Sequence, residues 1–489
     1  MDPGSSKLFP TGIAGLDTLL GGGIPRRQLV NVTGTPGSGK TVLCSQIAFL
    51  AAARGLSVVL GTITSEAHDK LVEELSGFTF FRPELLGEQV FLISVYAPLK
   101  KRAKEARDLI VGTVRERSAK LLVLDGLRPI RDLWQDEARL REFLYELSIG
   151  LAAADCVGLV TTDYSVEDPL GLAEATTMDA IISLGLKRHG VRRLRRAEVV
   201  KLRGRAHLSG EHFLEIGSEG IRIIPRLESL IHSDASLTPD GSRAAFGLPE
   251  FDVLMGGGVP VGSTTLLAGS MGIGKTLFSA HFARDGARKG EKALFVSFFE
   301  ELGALTARAQ RIGLDLQPSV ASGALRFLYL PPNEVEADIL VDQVLAEIAR
   351  MGARRLVIDG VGILELSIAQ ADRRHGFLAA LSMRLRLAGV TTVFTKEVAT
   401  VAGTELDFSD TPIAILAENL LLLRYVELRG RIHRILSVLK MRDSRYETDL
   451  REFEITDQGI RVLAPLRSVK GLLTGQAHPI GSATGEEAS

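Results

Sequence analysis

The chain has 489 residues, of which 45% are hydrophobic and 24% are charged, and its net charge is −1. These values are typical of a globular protein that is long enough for two or more domains. They exclude the strong basic excess that commonly marks a nucleic-acid binder, so we expect no nucleic-acid partner. The sequence contains no apolar run long enough for a membrane span, and its first residues, MDPGSSKLFP, lack the apolar stretch of a signal peptide. We therefore expect a cytoplasmic protein without a membrane partner.

The two cysteines, Cys44 and Cys156, stand far apart, and neither belongs to a CxxC motif. This spacing predicts neither a zinc site nor a disulfide framework. We interpret both residues as small apolar side chains of the interior.

The two halves of the chain repeat the same motifs in the same order. Residues 11–25 read TGIAGLDTLLGGGIP, and residues 246–260 read FGLPEFDVLMGGGVP. The segments GTPGSGKT and GSMGIGKT follow, and their lysines, Lys40 and Lys275, are 235 residues apart. A period of this length is far longer than that of a solenoid repeat and indicates duplication of a whole domain.

The duplication predicts two domains of the α/β class. Within each half, short apolar runs alternate with amphipathic stretches, which is typical of a mainly parallel sheet flanked by helices. A polar and turn-rich stretch separates the halves, and the end of the chain is rich in Gly and Ser. The expected division is an N-terminal arm (1–10), a first domain (11–228), a linker (229–243), a second domain (244–467) and a flexible C-terminal tail (468–489).

Each half contains the pattern GxxxxGK[ST] directly after an apolar strand, which predicts two RecA-like P-loop domains that bind ATP with Mg²⁺. Glycines let the backbone wrap closely around phosphate oxygens, and the amides at a helix N-terminus attract negative charge. The lysine would reach the β- and γ-phosphates, and the threonine hydroxyl would bind Mg²⁺. The expected nucleotide-binding residues are Gly34, Thr35, Gly37, Ser38, Gly39, Lys40, Thr41, Gly269, Ser270, Gly272, Ile273, Gly274, Lys275 and Thr276.

An aspartate ends an apolar run in each half, Asp125 after LLVL and Asp359 after RLVI. A carboxylate at the end of a buried strand is costly unless it has a partner, so we interpret both as residues that hold Mg²⁺ together with Thr41 and Thr276. The alternative is that each aspartate caps the segment that follows it.

Carboxylates also follow the apolar strand that lies between the P-loop and this aspartate in each half, where a general base for water would lie. The second half has Glu300 and Glu301 after ALFVSFF, whereas the first half has only Glu66, preceded by Ser65. We expect these glutamates to be catalytic and the two halves to hydrolyse ATP at different rates. The alternative is an acidic first turn that suits the helix dipole.

A Lys-x-Arg pair lies near the end of each half, Lys201 with Arg203 and Lys440 with Arg442. In ring-shaped ATPases a cation from a neighbouring subunit stabilises the charge of the transition state, and we expect this role for both pairs. The alternative is a charged strand edge that prevents aggregation.

Taken together, these motifs resemble the KaiC family over about residues 8–467. Members of this family are doubled RecA-type ATPases that stack as two rings in a homohexamer and bind ATP between subunits. The resemblance implies that the P-loops bind ATP in cis and that the Lys-x-Arg pairs contact it in trans. It also implies a nucleotide-facing role for His207, whose counterpart in the second domain is Tyr446.

The glutamates have two possible registers in the second domain. Clock members of the family carry two adjacent glutamates at this strand end, and in the first domain Glu66 matches the second of them. Alignment backward from Gly313 places Phe299 and Glu300 on the pair, whereas alignment from the strand gives Glu300 and Glu301.

The chain departs from the family at its phosphorylation sites. Clock members carry adjacent Ser and Thr autophosphorylation sites, and alignment backward from Arg429 puts Ala414 and Ile415 there, neither of which has a hydroxyl. Ser409 and Thr411 lie nearby but out of register. The resemblance therefore implies a slow signalling ATPase without clock-type autophosphorylation.

The leading hypothesis is thus a homohexameric, ATP-hydrolysing regulatory protein that acts on a signalling or KaiB-like partner. Three alternatives stay open at this point. They are a serine/threonine autokinase of the KaiC type, a DNA-dependent ATPase or recombinase of the RecA superfamily, and a nucleotide-binding scaffold with little catalysis.

Overall fold

The computed structural model describes residues 7–62, 68–163, 176–231, 241–331, 336–398, 412–428, 430–442, 444–465, 469–470 and 478–479. The chain divides into two compact units, Met1–Ser229 and Leu230–Ser489. Most of the expected linker and of the expected tail lies outside the described residues. In the expected arm, Leu8–Phe9 pairs with Ile24–Pro25, and Phe9 is buried, so this part of the arm belongs to the first unit.

The first unit alternates strands and helices along most of its length. Its strands are β1 (Leu8–Phe9), β2 (Ile24–Pro25), β3 (Leu29–Gly34), β4 (Val58–Thr62), β5 (Val90–Ser94), β6 (Leu121–Asp125), β7 (Val157–Thr162), β8 (Ala180–His189), β9 (Arg192–Leu202), β10 (His212–Gly217) and β11 (Gly220–Ile224). Its helices are α1 (Ala14–Leu19), α2 (Lys40–Ala52), α3 (His68–Leu75), α4 (Tyr96–Lys101), α5 (Ala103–Glu116), α6 (Arg128–Trp134) and α7 (Glu137–Ala153). Short 3-10 helices cover Pro83–Leu85 and Leu227–Leu230.

Nine of these strands form one sheet in the order β11-β10-β9-β8-β3-β7-β6-β4-β5. The strands from β8 to β5 run parallel to one another, and β9, β10 and β11 extend the sheet in antiparallel fashion. Parallel neighbours need long crossover connections, which helices such as α2, α5 and α7 supply.

The central parallel strands of the first unit, β3, β4, β6 and β7, are buried on both faces. In β6, Leu121 and Val123 belong to the apolar cluster that contains helix α2, whereas Leu122 and Leu124 belong to the cluster that contains α5 and α7. Side chains of a strand alternate between its two faces, so a strand with a helical layer on each side carries apolar side chains on both faces. This arrangement explains the continuous apolar runs of the sequence.

The second unit repeats this arrangement. Its strands are β12 (Arg243–Ala244), β13 (Val259–Pro260), β14 (Thr264–Gly269), β15 (Ala293–Ser297), β16 (Leu325–Tyr329), β17 (Arg355–Asp359), β18 (Thr391–Glu397), β19 (Asn419–Leu428), β20 (Arg431–Met441), β21 (Arg451–Thr456), β22 (Gly459–Pro465), β23 (Val469–Lys470) and β24 (His478–Pro479). Its helices are α8 (Pro249–Leu254), α9 (Lys275–Arg288), α10 (Leu302–Gln310), α11 (Gln317–Ala321), α12 (Ala337–Met351), α13 (Val361–Leu366), α14 (Arg373–Leu387) and α15 (Pro412–Leu416).

The main sheet of the second unit has the order β16-β15-β17-β18-β14-β19-β20-β21-β22, and its strands are parallel from β16 to β19. The predicted α/β class, with a mainly parallel sheet flanked by helices in each unit, is therefore confirmed. In both sheets the strand that precedes the P-loop lies between two parallel neighbours, and ligands of such sheets bind at the carboxyl ends of the strands. No helix of the described residues is long and apolar enough to cross a membrane.

A buried arginine anchors the strand that ends at Asp359. Arg355 begins β17, and its side chain is 1% exposed. Its guanidinium donates to the Glu291 carboxylate at 2.5 Å and to the backbone oxygens of Ala245 at 2.6 Å and Phe282 at 2.9 Å. These bonds fix the position of the start of β17 and, through the strand, that of Asp359 at its other end.

Arg355→Ala is expected to lower the free energy of unfolding of the second unit by about 3 kcal/mol, because it leaves a carboxylate and two carbonyls without their donor. Hydrogen exchange of the β17 amides in the full chain measures this loss. The matched control is Arg354→Ala, since this neighbour makes an exposed 3.3 Å bond to the Ala388 carbonyl. The control should change stability by no more than about 0.5 kcal/mol, and equal losses in the two variants would contradict the argument.

Candidate nucleotide sites

A glycine in the left-handed backbone region precedes each P-loop helix. Gly39 has a φ of 108° and Gly274 a φ of 118°, and the next residue of each is the lysine at which α2 or α9 begins. A Cβ at Gly39 would lie 2.8 Å from the Ile216 side chain, and one at Gly274 would lie 2.7 Å from the Ile455 side chain. Only glycine satisfies both the conformation and the lack of space. The free amides of the first helical turn are thereby available to a phosphate group.

The side chains of Ser38 and Ile273 are buried in the protein interior and do not face the phosphate-binding side of the loop. Both residues are 0% exposed, and Ile273 belongs to the apolar core of the second unit. At these two P-loop positions only the backbone is available to a nucleotide.

The two P-loop lysines fold back on their own loops. The Lys40 ammonium donates to two loop carbonyls, at 2.8 and 3.2 Å, and the Lys275 ammonium does the same at 3.0 and 2.8 Å. Each lysine is 8% exposed. Burial lowers the pKa of Lys275, although the charges of Glu397 and Asp359 oppose this effect. A poorly hydrated ammonium at the base of the loop attracts phosphate more strongly than one in water.

A threonine–aspartate–threonine chain of hydrogen bonds joins the first P-loop to the sheet. Thr41, in the first turn of α2, donates to one oxygen of Asp125 at 2.9 Å, and Thr161 of β7 donates to the other at 2.5 Å. The Thr161 hydroxyl in turn accepts the backbone N–H of Gly126 at 2.7 Å. This chain fixes the carboxylate beside the P-loop hydroxyl.

The second unit contains the same chain of hydrogen bonds. Thr276 donates to one oxygen of Asp359 at 2.9 Å, and Thr395 of β18 donates to the other at 2.6 Å. Asp359 is 5% exposed, and burial raises its pKa, while the two threonine hydrogen bonds lower it. The two hydroxyl donors thus offset part of the cost of burying the carboxylate and hold both of its oxygens in place.

These oxygens fit a magnesium ion that enters with a nucleotide. A threonine hydroxyl and an aspartate carboxylate are hard oxygen ligands, and in each unit they are already within 2.9 Å of each other. Among the described residues no group of three or more His, Cys, Asp or Glu could hold a metal ion by itself. Mg²⁺ is commonly bound by one or two protein side chains together with phosphate oxygens, which agrees with this arrangement.

An acidic residue lies two positions after the strand threonine in each unit, Asp163 after Thr161 and Glu397 after Thr395. Asp163 lies 2.7 Å from the Lys40 ammonium, and its counterpart Glu397 raises the pKa of Lys275 through its charge. A nucleotide entering the first site must therefore compete with a carboxylate for the P-loop lysine.

Four of these residues belong to no motif of the sequence, although the repeat contains a signal for them. They are Thr161, Asp163, Thr395 and Glu397. Each pair is 234 residues apart, which is the separation between Asp125 and Asp359. A search for polar residues that recur at this offset would have found them.

A cavity opens beside each P-loop, and the two cavities differ in size and lining. The first has a volume of about 280 Å³ and the second about 490 Å³. Leu71 and Glu74 of helix α3 line the first cavity, whereas Arg308 of α10 lines the second. The other lining residues of the second cavity include Lys275, Thr276, Phe299, Glu300, Asp359, Gly360, Leu366, Thr395, Lys396 and Glu397.

Glu300 lines the second cavity, whereas Glu301 does not. The Ser297 hydroxyl at the end of β15 accepts the backbone N–H groups of Phe299 at 3.3 Å and Glu300 at 3.2 Å, which turns the chain toward the cavity. The Glu300 carboxylate accepts a hydrogen bond from Arg308 at 2.7 Å. Glu301 is exposed at the residue before α10. The structure therefore brings Glu300, but not Glu301, to the second P-loop.

Phe299 shares the cavity with Glu300. Its side chain is 60% exposed, and its ring packs against Gly360, directly after Asp359. Phe299 and Glu300, whose side chains both lie at the cavity, are the pair given by the alignment backward from Gly313. In the first unit, Glu66 and Ser65 lie outside the described residues, so the catalytic role of Glu66 and the expected difference in rate stay predictions.

The first Lys-x-Arg pair lies far from the P-loop of its own unit. Lys201 on β9 is paired with Ile181 of β8, which is in turn paired with Asn31 of β3, three residues before Gly34. Its ammonium donates to the Met178 carbonyl at 2.8 Å, before β8 begins. The lysine therefore lies toward the amino ends of the parallel strands, roughly 10 Å along the strand direction from the end of β3.

The second pair has the same placement. Lys440 donates to the Ala417 carbonyl at 2.7 Å, and the Arg442 amide donates to the Glu418 carbonyl at 3.0 Å. Both acceptors precede β19. In the first unit, Arg203 pairs with Asp179 at 3.3 Å. Burial, followed by the charge of the neighbouring arginine, lowers the pKa of both lysines. Neither pair can reach the P-loop of its own unit.

The two further positions implied by the family resemblance also lie outside the cavity linings of the described residues. His207 is half-buried in the loop after β9. Tyr446 packs against the core of the second unit and donates to the Leu439 carbonyl at 3.4 Å. Neither side chain is brought to its own P-loop.

Comparison with known proteins gives matches along almost the whole chain. The family model described as "ATPase: KaiC" matches twice, over residues 9–228 and 244–467. The chain is 25% identical over 485 residues to the circadian clock oscillator protein KaiC of Thermostichus vulcanus, which covers 96% of this chain and 91% of that protein. It is 29% identical over 479 residues to the circadian clock protein KaiC3 of a Synechocystis species, which covers 95% of this chain and 93% of that protein.

Proposed function

We propose, since the chain belongs to the KaiC family of ATPases, that it binds ATP at both P-loops and hydrolyses it slowly as a regulatory protein. The observation that carries this proposal is the hydrogen bond from the P-loop threonine to the strand-end aspartate, which is 2.9 Å long in each unit. This bond brings a magnesium-binding hydroxyl and carboxylate together beside the P-loop lysine. P-loop NTPases use such a set of groups for phosphoryl transfer.

In the second unit each residue has a distinct role. The Lys275 ammonium would leave its loop carbonyls for the β- and γ-phosphates. Magnesium, when bound by Thr276 and Asp359, would neutralise charge on the phosphates. Glu300 would accept a proton from water as the water oxygen forms a bond to the γ-phosphorus and the bond between that phosphorus and the β,γ-bridging oxygen breaks. ADP and phosphate would leave, and the proton would return to solvent.

The first unit would bind ATP with the corresponding residues but hydrolyse it at a different rate. The ion pair between Lys40 and Asp163 supports this difference, because ATP must displace the carboxylate. The second P-loop lysine has no such close pair among the described residues.

Complete sites would require a second copy of the chain, which supports a double-ring homohexamer with ATP between subunits. The Lys-x-Arg pairs lie toward the amino ends of the parallel strands, whereas the P-loops follow their carboxyl ends. A cation that cannot reach its own site can still contact a nucleotide on a neighbour. The nucleotide state of such a ring would then control the binding of a signalling protein.

Autophosphorylation of the clock type is not part of this proposal. Ala414 is buried and Ile415 is 61% exposed, and neither carries a hydroxyl group to accept phosphate. Ser409 and Thr411 lie outside the described residues.

Incubation of the full chain with γ-labelled ATP tests the proposal, with released phosphate and protein-bound label followed in one sample. We expect released phosphate without labelled protein, and no release from the Lys40→Ala/Lys275→Ala double variant. Sedimentation with and without ATP would reveal the ring. Labelled protein would instead favour a kinase, and stimulation by single-stranded DNA that falls with salt would favour a DNA-dependent ATPase.

A further inference from the structure

An arginine of the second cavity holds the candidate catalytic base. Arg308 lies on helix α10 and lines the cavity together with Lys275 and Asp359. Its guanidinium donates to the Glu300 carboxylate at 2.7 Å. The Arg308 side chain is 44% exposed and that of Glu300 is 20% exposed, so the pair faces open space.

The other cations of this cavity are held more firmly. Among the described lining residues they are Lys275 and Lys396. Lys275 is bonded to two loop carbonyls, and Lys396 pairs with Glu365 at 2.6 Å with both side chains less than 20% exposed. Arg308 has one ion pair in a wet environment, and such a pair contributes little to stability. Arg308 is therefore the cation that can exchange partners most readily.

The γ-phosphate of ATP is the group that would compete for this cation. It offers three charged oxygens, whereas ADP has none at that position. The planar guanidinium of arginine donates two parallel hydrogen bonds to phosphate, which is a stronger arrangement than a single bond to a carboxylate. ATP and Glu300 would therefore compete for the same guanidinium, whereas ADP would leave the ion pair intact.

We propose that Arg308 is a positioning residue that responds to the γ-phosphate, an inference that rests on the proposed ATPase function. With the site empty or occupied by ADP, Arg308 holds the Glu300 carboxylate. With ATP bound, Arg308 pairs with the γ-phosphate and releases Glu300 to accept the proton of the attacking water. Hydrolysis at this site thus begins only after the γ-phosphate has taken the guanidinium.

Within the part of the chain that the structure describes, this pairing of an arginine with the candidate base occurs in the second unit and not in the first. Among the described residues that line the first cavity, helix α3 contributes Leu71 and Glu74, and the only cation is Lys40. A γ-phosphate there meets a carboxylate on the helix that faces it rather than an arginine. The two sites therefore differ in how they distinguish ATP from ADP.

Nucleotide affinities of the full chain carrying Lys40→Ala, in which only the second site binds, test this inference. We expect Arg308→Ala to weaken binding of the β,γ-imido analogue of ATP by about tenfold or more and to change the affinity for ADP by no more than about twofold. Arg308→Lys, which keeps the charge but not the paired hydrogen bonds, should restore part of the preference. The matched control is Arg311→Ala, an exposed arginine that follows the same helix and lies outside the cavity lining of the described residues.

A double-mutant cycle with Glu300→Gln separates competition from a general charge effect. Glu300→Gln should strengthen binding of the triphosphate analogue, because it frees Arg308. This gain in affinity should disappear in the Arg308→Ala background, because the effects of two substitutions on the binding free energy are not additive when the two residues contact each other.

The inference is wrong if Arg308→Ala keeps the full preference for the triphosphate analogue, or if Glu300→Gln strengthens its binding equally in both backgrounds. Failure of the proposed function gives a different result. In that case the Lys40→Ala chain binds neither nucleotide, or its binding is unaffected by a further Lys275→Ala substitution.

Discussion

Lys275→Ala is expected to abolish measurable ATP binding at the second site, with a loss of affinity of about a hundredfold or more, equivalent to ~2.7 kcal/mol. Lys275 is 8% exposed at the base of the loop and already donates to two carbonyls, so its charge is close to where the phosphates would bind and is poorly screened by water. Titration of the full chain carrying Lys40→Ala measures the second site alone.

The control for this variant is Lys289→Ala. Lys289 follows the last turn of the same helix and is 52% exposed in a pair with Asp285, so its removal should leave ATP affinity unchanged within about twofold. A Lys275→Ala chain that binds ATP as its parent does would place the nucleotide away from the second P-loop. Thermal unfolding of both variants checks that the loss reflects binding and not misfolding.

The parts of the molecule that could be predicted from the sequence are governed by local rules. The glycine before each P-loop lysine is required by the positive φ of its own turn, which depends on the neighbouring residues of the GxxxxGK[ST] pattern. The side chain that lies close to it, Ile216 or Ile455, comes from a distant strand. The alternation of apolar runs with amphipathic stretches predicted the parallel sheets, because strands with a helical layer on each face carry apolar side chains on both faces.

The contacts within the sites could not be predicted because they depend on strand order. Thr161 meets Asp125 since β7 lies beside β6, although the two residues are 36 positions apart in the chain. The pairing of Asp163 with Lys40 arises in the same way, from the position of β7 beside β3. Composition and spacing within one half do not reveal which strands become neighbours.

The direction that a side chain takes after the end of a strand is the second feature that could not be predicted from the sequence. Side chains of a strand point alternately to its two faces, and this alternation ends with β15 at Ser297. The Ser297 hydroxyl accepts the backbone N–H groups of Phe299 and Glu300, which bends the chain. The side chains of Glu300 and Glu301 therefore lie in different places, Glu300 at the cavity and Glu301 in solvent, although the two residues are adjacent in sequence. The same bend sets the direction of α10 and brings Arg308 to the cavity. No motif or spacing in the sequence singles out this arginine.

Glu300→Gln is expected to slow ATP hydrolysis at the second site by about 10²- to 10⁴-fold while ATP still binds. The amide keeps the size of the side chain but cannot accept the proton of water. Single-turnover release of phosphate from the full chain carrying Lys40→Ala measures the effect. Glu301→Gln is the matched control, because this carboxylate is exposed before α10 and outside the cavity lining of the described residues.

The comparison of the two glutamine variants decides which register of the glutamates is functional. A large loss with Glu300→Gln and a change of no more than about twofold with Glu301→Gln would assign water activation to the side chain that Arg308 holds. A larger loss with Glu301→Gln would mean that nucleotide binding rebuilds the turn after Ser297. If neither variant slows hydrolysis, the base must be another acid of the cavity, and Glu397, which acts on Lys275 through its charge, is then the first residue to replace.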